Sequence, residues 1–175
     1  VIGDGGTLTI SSTTGTKTFT GDVTVNSGGV WNESVAEDIA FAGSLANSGT
    51  FTASTGVHTF SGTSKTISGT VAIPNLTING TTQNNGTLTV STALAGASTL
   101  TNGATGTLNI GQATEPLGSG TLVATASGNI VNYTSVAPNC KVITYNTLNF
   151  TGSGAVTCAV TSVTKDLTYS TGTTM

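Results

Sequence analysis

The sequence predicts an all-β fold of the β-solenoid type, in which short strands stack coil upon coil. Three observations support this prediction: a five-residue phrase that recurs along the chain, the alternation of apolar and polar residues within the phrase, and a low content of charge. Only 6% of the 175 residues are charged, whereas about 25% is typical of a soluble domain.

The composition indicates an ordered chain without long helices. About a third of the residues are Ser or Thr, 24 are Gly and 36% are hydrophobic. Disordered chains usually combine low hydrophobicity with high net charge, whereas this chain has a net charge of only −3. Its Val, Ile, Leu, Phe and Thr residues favour half-buried strands, and no stretch places strong helix formers at helical spacing.

The recurring phrase reads Gly-Thr-apolar-x-apolar. Each copy has the alternation of a strand with one apolar face, and a Gly or Asn turn precedes it. The copies begin at Gly6, Gly21, Gly49, Gly69, Gly86, Gly106, Gly120 and Asn146, and the copy at Asn146 is the loosest match.

The spacing of these copies favours coils over hairpins. From Gly6 to Gly120 the successive starts lie 15, 28, 20, 17, 20 and 14 residues apart. A hairpin meander would repeat every ~8–12 residues, whereas a solenoid coil of two or three short strands needs about 20. The longest interval suggests a degenerate copy at residues 42–45. Stacked coils would also explain the low charge, because columns of Thr and Asn can hydrogen-bond whereas columns of Lys repel.

A β-sandwich is the alternative fold. A pilin-like subunit that donates a strand to its neighbour would also be Thr-rich and weakly charged, but it would not need an internal repeat. We divide the predicted solenoid into repetitive coils at residues 1–127 and a less regular continuation at residues 128–175. Cys140 and Cys158 lie in the continuation, 18 residues apart. Stacked coils would bring their Cα atoms within the ~4.4–6.8 Å that a disulfide needs, so we expect a disulfide rather than two buried thiols.

Two stretches of the chain resemble repeats of large bacterial surface proteins. The first contains Gly-Thr-Phe-Thr at 49–52, Thr-Phe-Ser-Gly at 59–62, Lys-Thr-Ile-Ser-Gly at 65–69 and Pro-Asn-Leu-Thr-Ile-Asn at 74–79. The second contains Gly-Asn-Ile-Val-Asn-Tyr at 128–133 and Val-Ile-Thr-Tyr-Asn-Thr-Leu-Asn-Phe-Thr-Gly-Ser-Gly at 142–154. They resemble the β-solenoid repeats of filamentous-haemagglutinin and autotransporter-type adhesins. The resemblance implies a right-handed parallel β-helix on an exported adhesin, matrix or fibre protein, and it implies no catalytic residues.

One cluster of acidic side chains is a candidate sugar contact. Glu33, Glu37 and Asp38 follow Trp31, the single tryptophan, and sugar-cleaving enzymes use paired carboxylates. We favour a solvated loop that protrudes from one coil. His58, the single histidine, has no acidic residue within 15 positions. A Ser-His-Asp site needs such a partner, so we do not expect catalysis at His58. In Val57-His58-Thr59-Phe60 it alternates with apolar neighbours, so we expect it to point outward on a strand.

Glycosylation and aromatic residues complete the set of candidate sites. Tyr133, Tyr145 and Tyr169 lie in the final third of the chain, where we expect them to fill the core rather than bind sugar. Six Asn-x-Ser/Thr sequons are candidate glycosylation sites, at Asn32, Asn75, Asn79, Asn85, Asn132 and Asn149.

These features predict a structural protein rather than an enzyme, with no cofactor. Four Lys and no Arg argue against nucleic acid, and no apolar run approaches the ~20 residues of a membrane span. We expect an extracellular or cell-surface segment of a fibre, filament or adhesin, with cell-surface glycans as candidate ligands. Neither terminus resembles a polar cap, so the partners would be copies of the chain itself or further repeats of it. The alternative is a carbohydrate-binding or carbohydrate-cleaving β-helix module.

Overall fold

The computed structural model describes residues 1–159 and 162–170, and the backbone of residues 173–174. Within these residues the chain is all-β and winds into a β-solenoid of about 8 turns. The strand pairings of the described residues are parallel, whereas the sheets of a pilin-like sandwich are built from antiparallel hairpins. The solenoid prediction is therefore confirmed, and the sandwich alternative is wrong. The right-handed sense stays a prediction.

Each coil contributes up to three short strands, numbered here in chain order, and these strands form three faces. Face 1 contains β1 (Thr7–Ile10), β4 (Val30–Glu33), β7 (Thr50–Thr52), β12 (Thr87–Val90), β15 (Thr107–Ile110) and β17 (Ile130–Tyr133). Face 2 contains β2 (Lys17–Phe19), β5 (Ile39–Phe41), β8 (Val57–Phe60), β10 (Asn75–Ile78) and β13 (Ala93–Ala95). Face 3 contains β3 (Val23–Val25), β6 (Leu45–Asn47), β11 (Thr82–Asn84), β14 (Thr99–Asn102) and β16 (Thr121–Val123).

Three longer strands pass from face 3 to face 1. They are β9 (Lys65–Ala72), β18 (Thr144–Phe150) and β20 (Ser162–Tyr169). A short pair, β19 (Gly154–Ala155) and β21 (Thr173–Thr174), lies near the C-terminal end. These strands complete a stack in which most coils add a strand to faces 1 and 3, while face 2 ends at β13.

Coils of different length pair in register on face 1. In one outward column Asn109 Nδ2 donates to Thr89 Oγ1 at 3.0 Å, Asn132 Nδ2 donates to Asn109 Oδ1 at 2.7 Å, and Asn149 Nδ2 donates to Asn132 Oδ1 at 2.9 Å. These steps span 20, 23 and 17 residues, so the corners between faces absorb the differences in length. The expected outer column of Thr and Asn is confirmed.

The recurring phrase marks strands on two different faces. Most copies precede strands of face 1, but the copies at Gly21 and Gly120 precede β3 and β16 on face 3. The degenerate copy at residues 42–45 leads into β6, where Leu45 pairs with Val23 of face 3. The uneven spacing therefore arises because one phrase marks two positions within the coil.

Gly69 allows β9 to turn the corner between face 3 and face 1. Its φ of 75° lies in the left-handed region, and a side chain there would overlap the Asn47 carbonyl oxygen of the preceding coil. The ladder of face 1 is interrupted at the same place. β7 pairs with β4, and Thr70 of β9 pairs with Thr87 of β12, while the described residues contain no ladder between β7 and β9.

Buried asparagines line the corner between face 3 and face 1. Asn84 Nδ2 donates to Asn102 Oδ1 at 2.8 Å and to the Thr107 carbonyl at 3.0 Å. Asn102 Nδ2 donates to the carbonyls of Gly106 and Ile130 at 3.1 and 2.9 Å. The Gly106 carbonyl also accepts from the Ile130 backbone N–H at 3.0 Å, so the amides add side-chain hydrogen bonds to the corner and satisfy their own buried N–H groups there.

Inward side chains fill the solenoid with apolar groups. Aliphatic residues occupy most inward positions of the middle coils. Aromatic rings concentrate toward the two ends, in the stacks Phe19–Phe41–Phe60 and Tyr133–Phe150–Tyr169. The core is thus one continuous column, which coil stacking extends from end to end.

Candidate functional site

A cluster of buried polar side chains lies inside the first coils. The alternation of β4 points Trp31 and Glu33 inward, and the alternation of β8 points His58 inward. Trp31 Nε1 donates to Glu33 Oε1 at 2.7 Å, and His58 Nε2 lies 3.0 and 2.9 Å from the two Glu33 oxygens. The Ser54 backbone N–H donates to Glu33 Oε2 at 2.7 Å. Glu33 is 5% exposed, and Trp31 and His58 are 0% exposed.

The hydrogen-bond geometry of this cluster fits an ion pair. His58 Nδ1 lies 3.0 Å from the Gly56 carbonyl, which can only accept, so Nδ1 carries a proton. Nε2 faces a carboxylate that already accepts two N–H donors. Burial raises the pKa of Glu33, but the hydrogen bonds from His58, Ser54 and Trp31 outweigh burial and hold that pKa below its usual value. An ionised Glu33 beside a doubly protonated His58 satisfies these contacts.

One expectation for this region is wrong, and one holds only in part. His58 does not point outward, because it is buried. In the segment from Trp31 to Asp38, residues 34–36 and Asp38 form an exposed loop, but Trp31, Glu33 and Glu37 are buried. Of the four candidate sugar contacts only Asp38 is exposed. The others are closed off from solvent and cannot reach a polysaccharide.

Two features of the solenoid place His58 inside, beside Glu33. Val57 is the outward residue of β8, at 44% exposed, whereas His58 pairs with Ile39 and Leu76 on the inward column. Phe60 lies two residues after His58, so the two side chains share one face of the strand. Glu33 lies 25 positions from His58 along the chain, and the winding of the coils brings the two into contact.

A second buried acid lies at the neighbouring corner. Glu37 is 0% exposed, and its Oε2 lies 3.4 Å from Lys17 Nζ. Lys17 Nζ also donates to the carbonyls of Thr14 and Gly15, at 2.9 Å each. Among the described residues the Glu37 carboxylate oxygens have no hydrogen-bond partner. The Lys17 ammonium thus supplies the neutralising charge for Glu37.

The first described coil leaves a cavity on its outer side. A cavity of about 620 Å³ is lined by Ile2, Leu8, Phe19 and Val23, with Trp31 below them. Among the described residues β1 pairs only with β4, and β2 pairs only with β5. Thr7, Thr18, Thr20 and Asp22 also line the cavity, so this side of the first coil presents apolar side chains with polar ones around them, beside strand edges that no described strand pairs.

The C-terminal coils contain the disulfide and a tyrosine pair. Cys140 and Cys158 are bonded, with Cα atoms 5.0 Å apart, which confirms the predicted disulfide. The Tyr133 and Tyr145 hydroxyls lie 3.0 Å apart, and both bond to the Lys141 backbone. Burial raises the pKa of Tyr133 to about 12 and also raises the pKa of Tyr145. Both rings fill the core, as predicted.

The sequons differ in exposure. Asn79 is exposed, whereas the other five asparagines are half-buried. Three of those five use Nδ2 as a hydrogen-bond donor, at Asn75, Asn132 and Asn149. Glycosylation stays a prediction for all six, with Asn79 the most accessible.

Comparisons with protein-family models, with curated proteins and with solved structures find no match. The resemblance to filamentous-haemagglutinin and autotransporter-type repeats therefore rests on the residues of the chain alone. In the described ranges no helix has the length and apolarity required to cross a membrane. No group of three or more His, Cys, Asp and Glu side chains in the same ranges is arranged to hold a metal ion.

Proposed function

We propose that this chain is a structural segment of an extracellular fibre, surface filament or adhesin, and that it associates through the ends of its solenoid. The observation that carries the proposal is the unpaired edge of β1 and β2 at the N-terminal end of the described chain. An uncovered strand edge is a template for pairing with another strand. Head-to-tail contacts that do not close generate filaments.

Two further features support association at this end. The cavity of about 620 Å³ exposes Leu8 and Phe19, and a coil stacked above them would remove that apolar surface from water. The walls of the solenoid instead carry columns of Thr and Asn and little charge. The favourable surface for self-association is therefore at the end rather than on the wall.

The extracellular location is proposed from the disulfide and from the resemblance. Stable disulfides are typical of oxidising compartments such as the cell exterior, and one joins Cys140 to Cys158. We do not put forward a carbohydrate-active module, because Trp31, Glu33, Tyr133 and Tyr145 are buried. A groove built from those residues was the basis of that alternative.

Sedimentation velocity over a wide concentration range tests the proposal, followed by electron microscopy of any assembly. We expect concentration-dependent association and rods with an axial repeat of about 4.8 Å, the spacing of paired strands. A chain that stays monomeric at the highest concentration would overturn the proposal, and so would strands that do not lie across the rod axis.

A matched pair of variants locates the association at the β1 edge. Gly6 and Ile10 carbonyls accept from β4, so in a parallel ladder the intervening Thr9 directs its N–H to the open side. Thr9→Pro removes that donor and should weaken association. Thr9→Ala keeps the donor and should associate as the parent chain does.

A further inference from the structure

We infer that the outer edge of β20 in one copy pairs in parallel with the edge of β1 in the next copy, with Leu167 beside Leu8 and Thr168 beside Thr9. This inference rests on the proposed function and specifies which two ends meet and in which register. The partner is a second copy of this chain. Its C-terminal coil would cover the N-terminal cavity.

The apolar columns of the two edges match. Leu167 pairs with Leu148, whose side chain is 0% exposed, and so it occupies the same inward column. Leu167 is nevertheless 44% exposed, because no described strand pairs with β20 on the side away from β18. Leu8 begins the inward column of face 1 at the other end, where it pairs with Trp31. Stacking would bury Leu167 against Leu8, as coils within the chain bury their own leucines.

Face 3 continues in the same arrangement. Val163 pairs with Tyr145 and forms the last described inward residue of that face. Ile2 bridges to Val25 and forms its first inward residue. Both side chains pack against the hydrophobic core. The corner from Ile2 to Leu8 is two residues longer than the corner from Val163 to Leu167. The chain accepts the same difference where Val25 pairs with Asn47 and Trp31 pairs with Phe51, so Ile2 can lie over Val163 when Leu8 lies over Leu167.

Charges at one corner favour the head-to-tail orientation. Asp4 lies between Ile2 and β1, and Lys165 lies between Val163 and Leu167, so both occupy the corner from face 3 to face 1. Both side chains are exposed, and Lys165 Nζ also lies 3.7 Å from Asp166 Oδ2. Head-to-tail stacking brings Asp4 near Lys165, whereas head-to-head stacking brings two Asp4 carboxylates together.

Cysteine cross-linking tests the register. The described cysteines are bonded to each other, and the side chains of Thr9 and Thr168 are exposed. Thr9→Cys and Thr168→Cys chains, mixed and mildly oxidised, should form a covalent dimer, because stacked strands provide the ~4.4–6.8 Å Cα separation of a disulfide. Each variant oxidised alone should stay uncrosslinked. As a control, a Thr89→Cys chain takes the place of the Thr9→Cys chain in the mixture with Thr168→Cys. Thr89 lies in the middle of face 1, so this mixture should form no covalent dimer.

The outcomes separate this inference from the proposed function. A dimer from Thr9→Cys alone means head-to-head pairing and overturns the inference. Association by sedimentation with no cross-link in the mixture overturns the register while the proposed function stands. No association under any condition overturns both.

Charge reversal supplies a second test of orientation. Asp4→Lys should weaken association of the chain by about two- to fivefold, the range for one exposed ion pair. Mixing the Asp4→Lys chain with a Lys165→Asp chain should restore it. If the mixture of the two variants associates as weakly as the Asp4→Lys chain alone, Asp4 and Lys165 do not contact each other.

Discussion

Glu33 is the residue whose environment constrains the fold most tightly. Its carboxylate accepts hydrogen bonds from Trp31 and Ser54 and pairs with His58, all inside an otherwise apolar column. A buried charge is tolerated only when it is paired and hydrogen-bonded. The cluster therefore fixes how the coil of β4 sits on the coil of β8.

Removing both members of the ion pair should destabilise the chain by less than the sum of the two single removals. His58→Leu leaves Glu33 without its charge partner and should lower the free energy of unfolding by about 3–5 kcal/mol. Glu33→Leu together with His58→Leu should cost less than the sum of the single changes. Denaturant unfolding of the four chains in a double-mutant cycle measures the coupling. Strictly additive losses would mean that the two side chains do not interact.

Stability should also fall on acidification. The pKa of Glu33 is lowered from 4.5 in the folded chain, so its contribution is present above the unfolded pKa and is lost as the pH falls through the folded pKa. Thermal unfolding from pH 7 down to pH 3 should show a midpoint that drops below about pH 4.5. In Glu33→Gln that drop should be smaller. Asp166→Asn, a change at a 60% exposed carboxylate, should leave the pH profile close to that of the parent chain.

At the scale of elements, coil corners carry as much specific structure as the strands. The alternation of apolar and polar residues in the recurring phrase was sufficient to predict the strands from the sequence. The corners depend on single residues such as Gly69, Asn84 and Asn102. Nothing in local propensity distinguishes a buried corner Asn from an exposed one, because the distinction arises from the carbonyls of the neighbouring coils.

The corner asparagines should matter more than the outward ones. Asn102→Ala removes a buried amide that serves the Gly106 and Ile130 carbonyls and should cost about 1–3 kcal/mol. Asn109→Ala on the outer column of face 1 should cost about 1 kcal/mol or less. Thermal and denaturant unfolding compare the two chains. Equal effects would show that the buried amides have no special role.

The disulfide should protect the C-terminal coils selectively. Cys140 and Cys158 close a loop with a sequence separation of 18, for which removal costs about 3 kcal/mol in chain-entropy terms. In Cys140→Ser with Cys158→Ser we expect faster amide hydrogen exchange in residues 128–175 and unchanged exchange in most of residues 1–127. Uniformly faster exchange would mean that the solenoid opens as one unit and would contradict the division at residue 128.

At the scale of the whole molecule, the sequence predicted the architecture better than the interior. Repetition and the near absence of charge sufficed for a stack of coils, because both are properties of the whole chain. To place Trp31 and His58 in the interior, one must know which residues of each strand face inward and which residues of neighbouring coils pair. A shift of one residue exchanges the inward and outward side chains of a strand. Because the corners differ in length, the sequence alone does not show which residue of each strand is the first to face inward.

Coils of 17, 20 and 23 residues share one ladder on face 1, and this tolerance bears on how such a chain can diversify. A segment added at a corner would leave the paired strands undisturbed, since the ladder already accepts coils that differ in length. The solenoid could thus carry inserted peptides along its side at intervals set by the rise per coil, about 4.8 Å. In such a scaffold the paired strands maintain the fold, whereas the corners can change in length and sequence.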